Sequence, residues 1–288
     1  YMQFSHLHNH SQFSLLDGAS KISSMFKKAK ADNMPAVAIT DHGNMFGVFQ
    51  FVAEAGKQGV KPIVGCEFYL VADRHKQSFT KEQKDKRYHQ LFLAKDPEGY
   101  QNLVKLCSLG FMEGMYSKYP RIDKELVLKY HKGLIATTCC LGASVPQAIL
   151  RSGEEEAEKE FKWWLDLFGE DYYIEVQNHF IPEQQTVNEV LLRFAKKYNV
   201  KVIASNDSHY LDQKDANAHD ILLCINTGEK QSTPTYKDIE GDFDMKGKRF
   251  AFYNDQFYFK TTEEMTKLWS HVPEAIDNTN EIVGKVET

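Results

Sequence analysis

The sequence predicts an α/β fold built on a parallel sheet, and three observations carry that expectation. Short β-branched or aromatic runs recur at about 4–8, 36–40, 61–66, 88–94, 133–138, 171–176 and 200–205. Each run except the third is followed by apolar residues at helical spacing, at 20–32, 44–58, 97–113, 144–168, 183–198 and 213–226. Unusual polar residues gather where the runs end. Seven β–α units in series imply a parallel sheet, either closed into a barrel or left open and doubly wound. A chain of 288 residues suits one such domain with an appendage.

The local signals place each element. Ser20, Asp96 with Pro97 behind it, and Pro182 with Glu183 mark helix starts, whereas Gly59 and Gly169 mark stops and Gly153 interrupts the stretch 144–168. After the third run the charged "HKQSFTKEQKDKR" at 75–87 stands in place of a helix. It reads either as a solvated loop or as local basic surface. Beyond residue 227, "KRFAFYNDQFYFK" reads as a hairpin, followed by short helices at about 262–270 and 273–286. The expected division is therefore a main domain over 1–227 and a C-terminal extension over 228–288.

Composition narrows the class. Hydrophobic residues make up 42% and charged residues 26%, with 17 Gly and 8 Pro, which argues against disorder. The longest apolar runs, such as 133–143, fall short of the roughly 20 residues that span a bilayer, and no leader-like segment opens the chain. A soluble, cytoplasmic protein without a membrane partner is expected. Five cysteines without a CxxC pair suit reduced thiols. A net charge of −5 offers no global attraction to nucleic acid, so a DNA partner would have to meet local basic surface or bound cations.

Five runs end on metal-binding residue types. His8 and His10 finish the first; "AVAITDHG" delivers Asp41 and His42, "KPIVGCE" Glu67, "GLIATTCC" Cys139 and Cys140, and "KVIASNDSHY" Asp207 and His209. In parallel α/β folds the carboxyl ends of the strands share one face, where sites are built. Strand alternation aims His8 and His10 to one side, about 7 Å apart at their roots, a gap one metal can bridge. Imidazoles, carboxylates and a thiolate suit zinc, manganese or iron better than calcium or magnesium. The candidates are too many for one ion, and two or three divalent ions sharing carboxylates would promote phosphoester hydrolysis. No GxSxG, P-loop or dinucleotide fingerprint competes.

HxH followed by Asp17, then TDHG, GCEFY, YHxxxLAKxxEGYxNL, TTxC and SNDSHYL, in this order, resemble the PHP (polymerase and histidinol phosphatase) domain, in the branch at the N-terminus of bacterial replicative DNA polymerases. The resemblance runs from residue 4 to about 285. It implies a distorted (βα)7 barrel with a metal site at the C-terminal ends of the strands. It further implies one metal on His8, His10, Glu67 and Asp207; a second on Glu67, His89 and Cys140; and a third on Asp17, His42 and His209. Zinc is the first expectation for these ions, and Asp17, Glu67 and Asp207 would be the catalytic carboxylates. The implied activity is a proofreading 3′–5′ exonuclease acting on a DNA primer end through metal-bound hydroxide. The implied partners are the palm and thumb of the polymerase chain and a separate proofreading subunit; a metal-stapled docking domain and a histidinol-phosphatase-type enzyme are the alternatives. The chain stops about where the family passes into the palm, so polymerase activity is not expected of these residues.

Two positions stand apart. His89 begins its run instead of ending it, so either that segment runs against its neighbours or the correspondence fails there. Cys140 matches the family pattern, yet Cys139 is one residue away, and a one-residue shift would turn the other thiol inward. His6 is expected to support the site by hydrogen bonding. Asp41 is expected to cap a helix near Asn44 or to support His42. His75, His131, His179, His219 and His271 are expected at surface or helix-face positions, and Trp163, Trp164 and Phe168 to pack a helix on the barrel.

Overall fold

A computed structural model of the chain describes residues 3–14, 17–232, 235–236 and 249–287. Most runs become strands close to their expected places: β1 (Ala36–Ile39), β2 (Lys61–Leu70), β3 (Tyr88–Ala94), the short β4 (Arg121–Ile122), β5 (Leu134–Thr137), β6 (Tyr172–Val176) and β7 (Val202–Ala204). Between and after them lie α1 (Ile22–Ala31), α2 (Val48–Gln58), α3 (Pro97–Glu113), α4 (Lys124–Tyr130), α5 (Ser144–Arg151), α6 (Glu154–Phe168), α7 (Pro182–Tyr198) and α8 (Ala216–Thr227). The punctuation is physical: the Asp96 side chain accepts the Gly99 N–H at 2.8 Å ahead of Pro97, and Gly153, at φ 94°, separates α5 from α6. Ser20 is not the cap of α1. It bridges Ser11 instead, and the helix begins without a side-chain cap.

The sheet runs β1-β2-β3-β5-β6-β7, with β4 beside β2. Residues 6–10 close it into a ring: Ala38 N donates to His6 O at 3.0 Å on the β1 side, and His10 N donates to Ser208 O at 2.8 Å beyond β7. The first run therefore acts as a stave held by isolated bridges, not by a continuous ladder. Counting it, seven staves make a distorted (βα)7 barrel. One expectation is overturned. The sheet is not wholly parallel, because β3 runs antiparallel to both β2 and β5. The long charged segment between β2 and β3 holds no helix, whereas a parallel pair would need a crossover helix there.

The ring interior is apolar, with Leu7, Ala38, Ile63, Leu93, Ile135 and Ile203 at or near zero exposure. Outside it, α6 packs Trp164 and Phe168 against the sheet, as expected, joined by Phe161, while Trp163 is only partly buried. The extension contributes β8 (Thr235–Tyr236) and β9 (Arg249–Phe250), paired in parallel, then α9 (Thr262–Leu268), α10 (Glu274–Asp277) and α11 (Thr279–Lys285). The expected hairpin over 248–260 does not form among the described residues; Tyr258 bridges Tyr210. Lys248 and the rest of 237–248 lie outside the described residues. Ile282 of α11 and Val286 just after it join the interior cluster. Nearby, Lys61 Nζ donates to Val283 O at 2.6 Å and Glu287 N donates to Lys95 O at 2.8 Å. Lys61 begins β2, and Lys95 follows antiparallel β3, so α11 stops the amino-terminal mouth. No helix among the described residues is long and apolar enough to cross a membrane.

Candidate metal centre

The reversed direction of β3 explains His89. A residue at the start of an antiparallel strand arrives at the same mouth as the ends of its parallel neighbours, so His89 lies beside Glu67, with Nδ1 3.2 Å from Oε2. The other candidates arrive from strand ends or from the turns just beyond them. His8 and His10 share one side of the closing stave, their ring centroids 5.5 Å apart. Asp207 sits at φ 47°, a left-handed conformation uncommon for a residue with a Cβ, in the turn that leaves β7. Asp41 serves neither expected role: it accepts the Ser11 N–H at 2.5 Å and the Ser11 hydroxyl at 2.6 Å, pinning the turn that follows His10.

All nine residues implied by the resemblance come together. Their possible ligand atoms fall into overlapping groups, each with all atoms within 4.8 Å: His8, His10, Glu67 and Asp207; His10, Asp17, His42 and His209; His42, Glu67 and His89; and Glu67, Cys139 and Cys140. Glu67 belongs to three of these four groups. Its Oε1 faces His8, and His10 at 3.5 Å, while its Oε2 faces His42 at 2.9 Å and His89 at 3.2 Å. Asp207 Oδ1 lies 2.8 Å from His10 Nε2, and Asp17 Oδ2 lies 3.0 Å from His42 Nε2 and 3.5 Å from His209 Nε2.

Of the two thiols, Cys140 is the one beside His89, at 3.4 Å from Nδ1. A hydrogen bond from Cys139, aided by the His89 imidazole against the opposing effect of burial, draws the Cys140 thiol down to about 6. Burial pushes Cys139 well up, and its side chain belongs to the apolar interior. Cys140 is therefore the better thiolate.

Burial alone would lower the pKa of His8 and raise that of Glu67, yet mutual charge reverses both. Asp207, Glu175 and Glu67 hold His8 well above its ordinary range, while His42 and His8 hold Glu67 well below. Burial would likewise raise Asp17, but His42 and His209 keep it well below the carboxylate range. Despite these close approaches, Asp17 Oδ1, His42 Nδ1, Glu67 Oε2 and His209 Nε2 are buried without a hydrogen bond. Buried polar atoms are rarely left so, because each costs about 1–3 kcal/mol. Lone pairs left without hydrogen bonds on crowded imidazoles and carboxylates are what a shared cation would satisfy.

Sequence reasoning passed over several contributors. Glu175 and Gln177, at the end of "YYIEVQ", stand behind His8: His8 Nδ1 is 2.5 Å from Glu175 Oε2, which also accepts from Gln177 at 2.9 Å, while Glu175 Oε1 accepts from Thr137 Oγ1 at 2.7 Å. Alternate polar residues in an otherwise apolar strand were the available signal. Ser14 Oγ lies 3.0 Å from His10 Nδ1 and accepts the His42 N–H at 3.0 Å. His6 does not bond His8; its Nε2 lies 2.7 Å from Lys260 O, tying the stave to the extension. His179 and His219 are buried, not on the surface. His219, on α8, reaches Asp17 O at 2.6 Å, and His179 reaches Asn206 O at 2.7 Å.

Barrel, reversed strand and convergent donors together define a class: α/β barrels that gather a multi-donor cluster at the carboxyl-terminal mouth. Within that class the chain belongs to the PHP domain family, whose model matches residues 6–179. The chain is 43% identical over 288 residues to the DNA polymerase III subunit alpha of Borreliella burgdorferi, covering 99% of this chain and 24% of that protein. It is 44% identical over 289 residues to the Thermus aquaticus subunit, covering 98% of this chain and 22% of that protein, and 39% identical over 285 residues to the Treponema pallidum subunit, covering 99% and 23%. The chain thus spans about a quarter of the length of the curated relatives it matches. It also superimposes on a protein from Bifidobacterium adolescentis proposed to be a metal-dependent phosphoesterase, at a TM-score of 0.46 and 17% identity over 72% of this chain and 88% of that one.

Proposed function

We propose that this chain is the PHP domain of a replicative DNA polymerase and acts as a metal-dependent phosphoesterase that removes nucleotides from the 3′ end of DNA. The convergence of nine donor side chains on Glu67 and its neighbours, with four of their polar atoms buried and unsatisfied, carries this reading. His8, His10, Glu67 and Asp207 would hold one ion, Glu67, His89 and Cys140 a second, and Asp17, His42 and His209 a third. The mixture of imidazole, carboxylate and thiolate favours zinc, with manganese or iron next. Such ions would neutralise the charge of a phosphodiester and supply the Lewis acidity that activates water. The polymerase body and a proofreading subunit are the expected partners, and the expected setting is the cytoplasm.

The chain's own residues divide the work. Glu175 accepts a hydrogen bond from His8 Nδ1–H and so holds Nε2 toward the cluster. The Glu67 side chain is wholly buried, which suits it to bridging, whereas those of Asp17 and Asp207 are 17% and 12% exposed and line the pocket above it. Asp17 and Asp207 are therefore the carboxylates of the cluster that a substrate entering the pocket would meet.

Replacing Asp17 or Asp207 by Asn tests the reading. Loss of cleavage of a 3′-recessed primer at an unchanged melting temperature is the expected result. Unfolding of the variants, with no activity in the parent chain, would make the metals a staple. Cleavage confined to small phosphomonoesters would sink the exonuclease. Elemental analysis of the purified chain comes first, because a metal content near zero under replete conditions removes every catalytic version.

A further inference from the structure

The mouth of the barrel opens into a pocket whose lining comes from different parts of the chain. Asp17, His42, His89 and His209 line it together with Phe252, Tyr253 and Phe257. These three aromatics lie outside the residues 6–179 matched by the family model. Their segment is fastened to the donor loop by several hydrogen bonds. His209 N donates to Phe257 O at 2.9 Å, Asn206 Nδ2 donates to Gln256 O at 3.0 Å and Tyr258 O at 2.7 Å, and Asn254 Nδ2 donates to His179 O at 2.6 Å.

The rings are ordered by one another. Phe257 lies flat on the His179 imidazole, with centroids 3.8 Å apart and planes 16° apart. Phe252 stands edge-on to Phe257 at 4.7 Å and to His209 at 4.6 Å. His179 is held from both sides, by Gln184 at 2.7 Å and by Asn206 O at 2.7 Å, and burial pushes it down to about 3, so it is a neutral ring. At the same rim Phe180 is 61% exposed at φ 58°, a conformation costly for a bulky side chain. An uncharged aromatic panel thus adjoins the donor cluster in one pocket.

We propose that this panel is the subsite for the nucleobase of the nucleotide being released, held by its flat face and not read at its edge. The inference rests on the phosphoesterase reading. A pocket lined by both a charged donor cluster and adjoining aromatic rings fits a ligand with an anion at one end and a planar ring at the other, which is the description of a nucleotide. Among the described lining residues, Phe252 and Phe257 offer apolar rings and Tyr253 an uncharged phenol. Every base presents a π-face, so the subsite is tolerant of sequence. An abasic terminus has nothing to place there.

The test uses the full chain and single-stranded oligonucleotides that differ only in the 3′ residue: thymidine, deoxyadenosine or a tetrahydrofuran abasic unit. Release of the 3′ residue is measured as kcat/KM, and binding of the same strands with a phosphorothioate last linkage is followed by fluorescence anisotropy. The parent chain is expected to favour both base-bearing ends over the abasic end by about tenfold or more, the scale of one stacked base, with little difference between the two bases. Phe252→Ala should abolish that preference. Phe257→Leu, which retains apolar packing and so guards against mere loosening, should reduce it in the same direction. Equal handling of abasic and base-bearing ends by the parent chain overturns the subsite even if cleavage is robust. Base-dependent binding lost in the variants, with no cleavage of any strand, leaves the subsite standing and overturns the phosphoesterase reading.

Discussion

At the amino-terminal mouth of the barrel Ile282 and Val286 enter the ring beside Leu7 and Ile63, whereas at the carboxyl-terminal mouth the same staves hold imidazoles and carboxylates out of water. The two ends stand in opposite relation to stability. Burying an Ile or Val side chain stabilises a fold by about 1.5–3 kcal/mol. Taking an ionised group out of water costs several kcal/mol unless partners offset it, and four polar atoms of the cluster find no hydrogen bond. The apolar end can therefore hold the ring together while the polar end remains poised for a ligand. Substitutions at one end should move melting, and those at the other should move metal content and chemistry.

The largest separation is expected from Glu67→Gln. Because Glu67 is common to several donor groups, activity should fall by about a thousandfold or more, the behaviour of a group on which others act together. A wild-type rate in this variant, with metal content intact, would remove Glu67 from the bridge. Next comes Ile282→Ala, which should cost about 2–5 kcal/mol in urea unfolding and leave the metal bound per folded chain unchanged. A change in metal content there would show that the two ends are coupled. Glu175→Gln should weaken metal affinity by about 10–100-fold at nearly constant stability, read by competition with a chelator, since the carboxylate acts through His8.

The last test concerns proton uptake. His179 has a folded pKa pushed down to about 3 from an ordinary 6.5. Below about pH 6.5 the unfolded chain takes up a proton that the folded chain refuses. The stability tied to neutral His179 is therefore complete above that pH and is lost as pH falls toward 3, by at most about 1.4 kcal/mol per unit. His179→Gln should give a shallower loss of unfolding free energy between about pH 6 and 4. An identical slope in the variant would mean that His179 takes up its proton in the folded chain as readily as in the unfolded one.

Local chemistry made much of the fold legible. Pro97 behind Asp96, Gly153 between α5 and α6, and the β-branched runs act over a few residues, so they could be read without knowing the rest of the chain. The direction of β3 could not, because antiparallel pairing is decided by where the chain returns after residue 70, and nothing in "YHQLFLA" encodes it. The convergence of His8, His42, Glu67 and Asp207 followed from strand ends alone. His89 needed the resemblance, and only the reversed strand makes sense of its place. Glu175 escaped notice because one carboxylate in an apolar strand has no companion in sequence. Phe252 and Phe257 escaped because their neighbours His209 and His179 lie more than forty positions away.

The stave that closes the ring has a consequence for how the molecule comes into being. His8 and His10 are among the first residues of this chain, and His10 meets Asp207 across 197 positions. Contacts of such separation must overcome the entropy of closing a long loop and give folds that form slowly. During synthesis His10 emerges 197 positions ahead of Asp207 and stays without that carboxylate partner until it has been added. Competence to bind a ligand there thus arrives together with ring closure, so a loaded site certifies a finished barrel.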